Sequence, residues 1–142
     1  MTTIPEFRQE IRPEWIDYNG HLSEAYYVLV FGFATDALME LAGLDDEYRR
    51  GSGCSLYTVE ARVRYLREVR QQDSVVVRSR VTEVGSKKLL VSHEMRVADT
   101  VVATEDLVAL HVDVERNETC PFPDAVRAKL QALLDENSAH GG

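Results

Sequence analysis

The spacing of apolar and polar positions changes along the chain, and each change marks an element. Phe7, Gln9 and Ile11 alternate with Arg8, Glu10 and Arg12 up to Pro13, which predicts a short first strand over residues 7–12. From Ser23 the spacing becomes three to four: Tyr27, Val30, Phe31, Ala34, Ala37, Leu38 and Leu41 share a helical face that ends at Gly43. Val28, Leu29 and Phe33 make the opposite face apolar too, so this helix is expected to be buried nearly all round. After the loop Gly51-Ser52-Gly53 the period drops to two, predicting four long strands over 56–67, 74–84, 87–97 and 101–114. The gaps between them read as hairpin length, which predicts an antiparallel meander, with Glu105-Asp106 marking a bulge in the last strand. Pro121 and Pro123 close the strand region, and Val126, Leu130, Leu133 and Leu134 predict a short C-terminal helix over 124–134.

The order strand, long apolar helix, four long strands, short helix is an α+β layer architecture. No repeat, low-complexity tract or linker divides it, so residues 1–142 are expected to form one domain. Long strands covered on one face by one helix also predict self-association, through sheet edges or the ends of the helix left uncovered.

Composition narrows the class. With 44% hydrophobic and 28% charged residues the chain matches an ordinary globular protein, and no apolar run reaches the ~20 residues needed to span a bilayer. Residues 1–6 carry neither a basic region nor an apolar signal core, so a cytoplasmic location is expected. Cys54 and Cys120 are too few for a disulfide scaffold and lie outside Cys-x-x-Cys or metal-ligand spacing, so no metal is expected. A net charge of −8 argues against nucleic acid as a partner and would welcome a cationic ligand, although a solvated acidic surface is the plainer reading.

Chemistry concentrates in residues 15–27. Ser23 is a good N-cap, which makes Glu24 the first helical residue and leaves its amide without an intrahelical acceptor. Asp17 precedes that positive helix end, so a carboxylate and a fixed N–H donor can converge on one carbonyl, the pairing that acyl transfer uses. Taken alone, Asp17-x-Asn19-Gly20 is also ordinary turn chemistry.

The run Asp17-Tyr18-Asn19-Gly20-His21 with Tyr27 six residues beyond the His, the apolar helix after it, and the strand segments 59–67, 73–75 and 108–113 resemble the 4-hydroxybenzoyl-CoA thioesterase-like family of hotdog-fold enzymes. Within that family the blocks 17–24, 30–32, 34–38 and 57–60 look like the betainyl-CoA thioesterases of carnitine breakdown, relatives of which occur fused to carnitine dehydrogenase. The resemblance implies a hotdog fold, a long helix wrapped by an antiparallel sheet of about five strands. It places the catalytic carboxylate on Asp17 and the carbonyl-polarising amide on Glu24. Gly20 would admit the thioester and His21 would orient the loop or its water. Ser23, Gly32 and Thr35 depart from the family pattern of Asn, Glu and Arg, which puts the acyl pocket in doubt more than the chemistry.

The implied function is hydrolysis of a short polar acyl-CoA such as betainyl-CoA, without a cofactor, by a homodimer or homotetramer whose protomers share each site. For a trimethylammonium group Trp15, Tyr18, Tyr26, Tyr57 and Tyr65 are candidate aromatic contacts, with Glu24, Asp36 and Glu60 as nearby acids; Asn19 and Gly20 are further candidate substrate contacts, and Lys87, Lys88, Arg62, Arg64 and Arg67 are candidate CoA cations. Two other readings stay open. One is hydratase-like chemistry on an enoyl-CoA, whose family places its His five residues after the Asp where this chain has four. The other is a non-catalytic acyl-CoA binding module. His111 and Asp113 share one side of a strand, with no third metal ligand evident and a sheet-surface pair expected; His93 is read as a strand residue of no special role, His140 as part of a polar tail, and Cys54 as a small packed residue.

Overall fold

A computed structural model describes residues 4–140, with residues 135–140 as backbone only; Met1 to Thr3, the two terminal glycines and the side chain of His140 lie outside this description. The elements are β1 (Phe7–Glu10), a 3-10 turn (Pro13–Trp15), α1 (Glu24–Leu41), α2 (Asp46–Ser52), β2 (Cys54–Tyr65), β3 (Ser74–Val84), β4 (Lys88–Val97), β5 (Thr100–Asp113), β6 (Glu118–Thr119) and α3 (Asp124–His140). They build one antiparallel sheet in the order β1-β3-β4-β5-β2, with β6 added beside β5.

The alternation read from the sequence becomes the inner face of this sheet. Val75, Val77 and Val81 of β3, Leu89, Val91 and Met95 of β4, and Ala103, Leu107 and Ala109 of β5 are all buried. Tyr27, Val30, Phe31, Ala34 and Leu38 of α1 lie against them, and Phe31 is fully buried, worth about 1.5–3 kcal/mol relative to leaving it in water. Val126, Leu130 and Leu133 of α3 close the second half of the core around Leu38, Val81 and Leu89. β4 and β5 meet in a tight turn, Val97 facing Thr100 in register, with Ala98 at φ 53°.

The structure corrects five expectations. The strands are not a full meander: only β3, β4 and β5 run consecutively, while β2 pairs with β5 and leaves β1 beside β3. The β2–β3 connection is too long for a hairpin; it crosses the sheet end, held by buried Val69, whose carbonyl accepts from the Leu22 amide at 2.7 Å. Register runs unbroken through Glu105 and Asp106, and the irregularities fall instead at Thr58/Glu60, Val81/Glu83 and Met95/Arg96. α1 is buried on one face only, since Val28 and Leu29 remain 43% and 39% exposed. Part of the Gly51–Gly53 loop belongs to α2, capped at its start by the Asp45 carboxylate accepting from the Tyr48 amide. The C-terminal helix continues past Leu134 to His140.

Candidate active site

The chain between the 3-10 turn and α1 folds into a tight loop. Ile16 and Leu22 form an isolated antiparallel bridge, and within it the Asp17 amide donates to the His21 carbonyl at 2.8 Å and the Gly20 amide to the Asp17 carbonyl at 3.0 Å. Gly20 sits at φ +80°, a left-handed conformation that a side chain would strain. Asp17 Oδ1 accepts from the amides of Asn19 at 2.9 Å and His21 at 3.3 Å. One carboxylate oxygen therefore anchors the loop, and Oδ2 is uncommitted among the described residues.

Ser23 holds the N-cap position with φ −67° and ψ 143°, yet its hydroxyl makes no capping bond. The Tyr26 amide donates to the Ser23 carbonyl at 2.9 Å, so the Glu24 amide ahead of it has no intrahelical acceptor. Asp17, His21 and Glu24 line one open cavity of about 430 Å³ together with Leu22, Tyr27, Tyr65, Leu66, Arg67 and Glu68. His21 Nε2 lies 2.8 Å from Glu68 Oε2. The Tyr27 hydroxyl donates to the Arg67 carbonyl at 3.0 Å, and the Tyr27 and Tyr65 rings meet edge to face at 5.1 Å. Burial, then the nearby carboxylates, pushes both phenols above their ordinary pKa, so they stay neutral hydrogen-bonding groups.

A second and larger cavity, about 580 Å³, runs along the exposed face of α1 against β2 and β5, lined by Gly32, Thr35, Asp36, Glu40 and Glu105 among others. Glu105 is 4% exposed, on the inward parity of β5; burial, aided by the Asp106 charge, raises its carboxyl from 4.5 to about 7. Its register partner His93 is also buried, bonded through Nδ1 to Ser79 Oγ at 2.7 Å and through Nε2 to Thr35 Oγ1 at 2.8 Å. Burial lowers this imidazole from 6.5 to about 4, against the opposing pull of Asp106. The carboxylates of Glu24 and Glu105 add to the burial that raises the Tyr65 phenol.

Of the residues singled out in the sequence, Asp17, Glu24 and His21 come together around one cavity, with Asn19 and Gly20 exposed in the loop that holds them. Tyr27, Tyr65 and Arg67 line the same cavity, and the remaining candidates are elsewhere. Trp15 is buried and stacked on Tyr26 at 5.6 Å, and neither ring lines the Asp17 cavity. Tyr57 and Lys88 both face Leu110, toward the other end of the sheet within the protomer; Lys88 is paired with Glu83 at 3.1 Å, and the Lys87 carbonyl accepts from the His111 amide. Among the suggested cations only Arg67 lines the Asp17 cavity. His111, expected at the sheet surface, is 1% exposed. Sequence reasoning passed over Glu105 as a site residue, although its place in the inward series Ala103, Glu105, Leu107, Ala109 marks a carboxylate in an otherwise apolar row.

A long helix lying in a curled antiparallel sheet, with a carboxylate and a free helix amide at one cavity, defines a hotdog-fold thioesterase. The thioesterase-like superfamily model matches residues 11–130. The chain is 37% identical over 138 residues to the betainyl-CoA thioesterase of Pseudomonas aeruginosa, covering 96% of this chain and 87% of that protein. It is 36% identical to a candidate thioesterase of known structure from Pseudomonas putida, with a TM-score of 0.81 over 92% of this chain and 84% of that one. A Staphylococcus aureus protein solved in complex with CoA superposes with a TM-score of 0.89 at 21% identity, covering 92% of this chain and 83% of that one. The chain belongs to the thioesterase-like superfamily.

Proposed function

We propose that this protein hydrolyses betainyl-CoA, giving betaine and free CoA, with Asp17 and the Glu24 amide as its catalytic groups. The observation that carries the reading is that Asp17, with a free oxygen, and Glu24, with a free amide, face one cavity. The amide stabilises the oxyanion that develops on the thioester carbonyl, an interaction whose loss typically costs ~10²–10³ in rate. Asp17 either takes a proton from the attacking water or attacks the carbonyl itself, giving a mixed anhydride that water then opens. In both routes the carbon–sulfur bond breaks and the thiolate leaves as CoA, taking up a proton.

Three features support a cationic acyl group. Asp36, Glu40 and Glu105 line the larger cavity, where Arg49 is the opposing cation. Tyr27 and Tyr65 provide aromatic surface beside Asp17 for a trimethylammonium group. A relative 37% identical over 96% of this chain and 87% of its own length carries the betainyl-CoA thioesterase name. Arg67 is the local cation for CoA phosphates. The working unit in this proposal is a homodimer whose protomers share each site: β2 is an edge strand, paired on one side with β5, with Tyr57, Val59 and Tyr65 exposed, and Val28 and Leu29 of α1 are exposed as well.

The test is thiol release from betainyl-, acetyl- and benzoyl-CoA, and hydration of crotonyl-CoA, by the native enzyme and by Asp17→Asn. Betainyl-CoA should be preferred, crotonyl-CoA left unhydrated, and kcat should fall by about 10²–10⁴ in the variant while its circular dichroism is unchanged. Undiminished turnover by Asp17→Asn would sink the catalytic assignment. Equal rates on betainyl- and acetyl-CoA would sink the substrate assignment alone.

A further inference from the structure

Cys54, His111 and Cys120 belong to three separate parts of the chain, and the sheet brings them together. Asp113 of β5 pairs with Cys54 at the start of β2 on one edge and with Glu118 of β6 on the other, and just past β6 the Cys120 amide donates to the His111 carbonyl at 3.0 Å. The side chains converge over β5. Cys54 Sγ and Cys120 Sγ are 3.7 Å apart, Cys120 Sγ and His111 Nδ1 are 3.4 Å apart, and the three donor atoms all lie within 4.8 Å of one another.

These separations have a chemical meaning. Bonds of ~2.3 Å to thiolate and ~2.0–2.1 Å to imidazole around a tetrahedral ion set edges of about 3.8 Å between two sulfurs and about 3.6 Å between sulfur and nitrogen. A disulfide needs its sulfurs ~2.05 Å apart and makes no use of a third donor. The donor set, two thiolates and an imidazole, is the one that selects zinc among the common divalent ions.

We infer that Cys54, His111 and Cys120 form a zinc site, with a water molecule at the fourth position. Tyr48 of α2 orients the imidazole from behind, its hydroxyl 2.8 Å from His111 Nε2. Without metal, Nδ1 donates to the Cys120 carbonyl at 2.9 Å and Nε2 accepts from Tyr48. On loading, the ring proton moves to Nε2 and is donated to the Tyr48 oxygen, which frees Nδ1 as a ligand. Both thiols release their protons to solvent, so two thiolates and a neutral imidazole hold the dication at no net charge. Cys54 and Cys120 are each half-buried, which gives the ion a path in while His111 sits beneath. Within a protomer the whole length of β2, 12 residues or ~35 Å, separates Cys54 from Tyr65, so the ion clamps structure away from that protomer's own Asp17.

The experiment uses the untagged, reduced protein titrated with Zn²⁺ or with Co²⁺ as its coloured substitute. Native protein should take up one Zn²⁺ per chain, and Co²⁺ should produce the near-ultraviolet thiolate-to-metal charge-transfer band together with tetrahedral d–d absorption. Cys54→Ser and Cys120→Ser should each weaken Zn²⁺ binding by about 100-fold or more, and Tyr48→Phe by about tenfold. Zinc should raise the melting temperature of the native protein and leave that of the double serine variant unmoved. A native protein that shows no charge-transfer band with Co²⁺ overturns the proposal whatever the variants do. So does one in which mild peroxide closes the two thiols into a disulfide while saturating Zn²⁺ gives no protection.

Discussion

At Asp17 the backbone does the positioning. Two amides bind one carboxylate oxygen, Gly20 permits the turn, and Ser23 leaves the helix start uncapped by its hydroxyl. A capping side chain there takes the amide of the second or third helical residue, so the Glu24 amide at the first position stays open to the proposed oxyanion either way. Glu105 poses the opposite case, a carboxylate that burial holds at a pKa of about 7, so near neutral pH it is divided between its two forms. A trimethylammonium group in the adjoining cavity would draw it into the charged form. Glu105→Gln should therefore raise KM for betainyl-CoA about tenfold or more and leave KM for acetyl-CoA unchanged, since only the first substrate brings a charge to be matched. Steady-state kinetics on the two substrates decides it, and a parallel rise in both would remove Glu105 from recognition.

Among the elements, β2 has the most open chemistry. It is an edge strand whose register slips between Thr58 and Glu60, leaving Val59 outside the ladder and 56% exposed. If this edge joins two protomers, Val59→Asp should halve the mass seen by sedimentation velocity and lower kcat/KM at least about tenfold, because the shared sites come apart. A variant that stays a dimer with full activity would move the interface elsewhere. Elements with long alternating or helical runs were legible in the sequence: β3, β4 and β5 fall where Val75, Leu89 and Val101 open their runs, and α1 where Tyr27 to Leu41 repeat at helical spacing. What the sequence concealed depended on partners distant along the chain. β2 lies beside β5, with its connection to β3 held to Leu22 through Val69, and α2 hides in a polar stretch whose signals are the Asp45 cap and Gly53 at φ 72°. The same holds for the site. Asp17 and Glu24 are neighbours in sequence and were legible together; Tyr65 and Arg67 were legible as separate candidates, but their meeting with Asp17, and the place of Glu68, depend on the return of the chain after β2.

For the whole molecule, two buried groups set opposite demands on pH. Glu105 has its pKa raised from 4.5 to about 7, so it favours folding below that range and loses its contribution as pH rises through it. His93 has its pKa lowered from 6.5 to about 4, so it favours folding above that range and loses its contribution as pH falls. Between pH 4.5 and 6.5 the two slopes, each about 1.4 kcal/mol per pH unit, oppose one another. Urea unfolding should accordingly show little pH dependence from this pair in the native protein. Relative to it, Glu105→Gln should lose stability as the buffer is acidified, and His93→Gln should lose it as the buffer is made more alkaline; identical pH profiles for all three proteins would contradict the assignment. Facing each other across β4 and β5, the two side chains enter the core as a neutral acid and a neutral base and leave it as an anion and a cation. Unfolding in this window thus transfers a proton from one to the other in effect and takes none from the buffer, so this pair adds nothing that varies with the buffer's own ionisation heat to the calorimetric enthalpy.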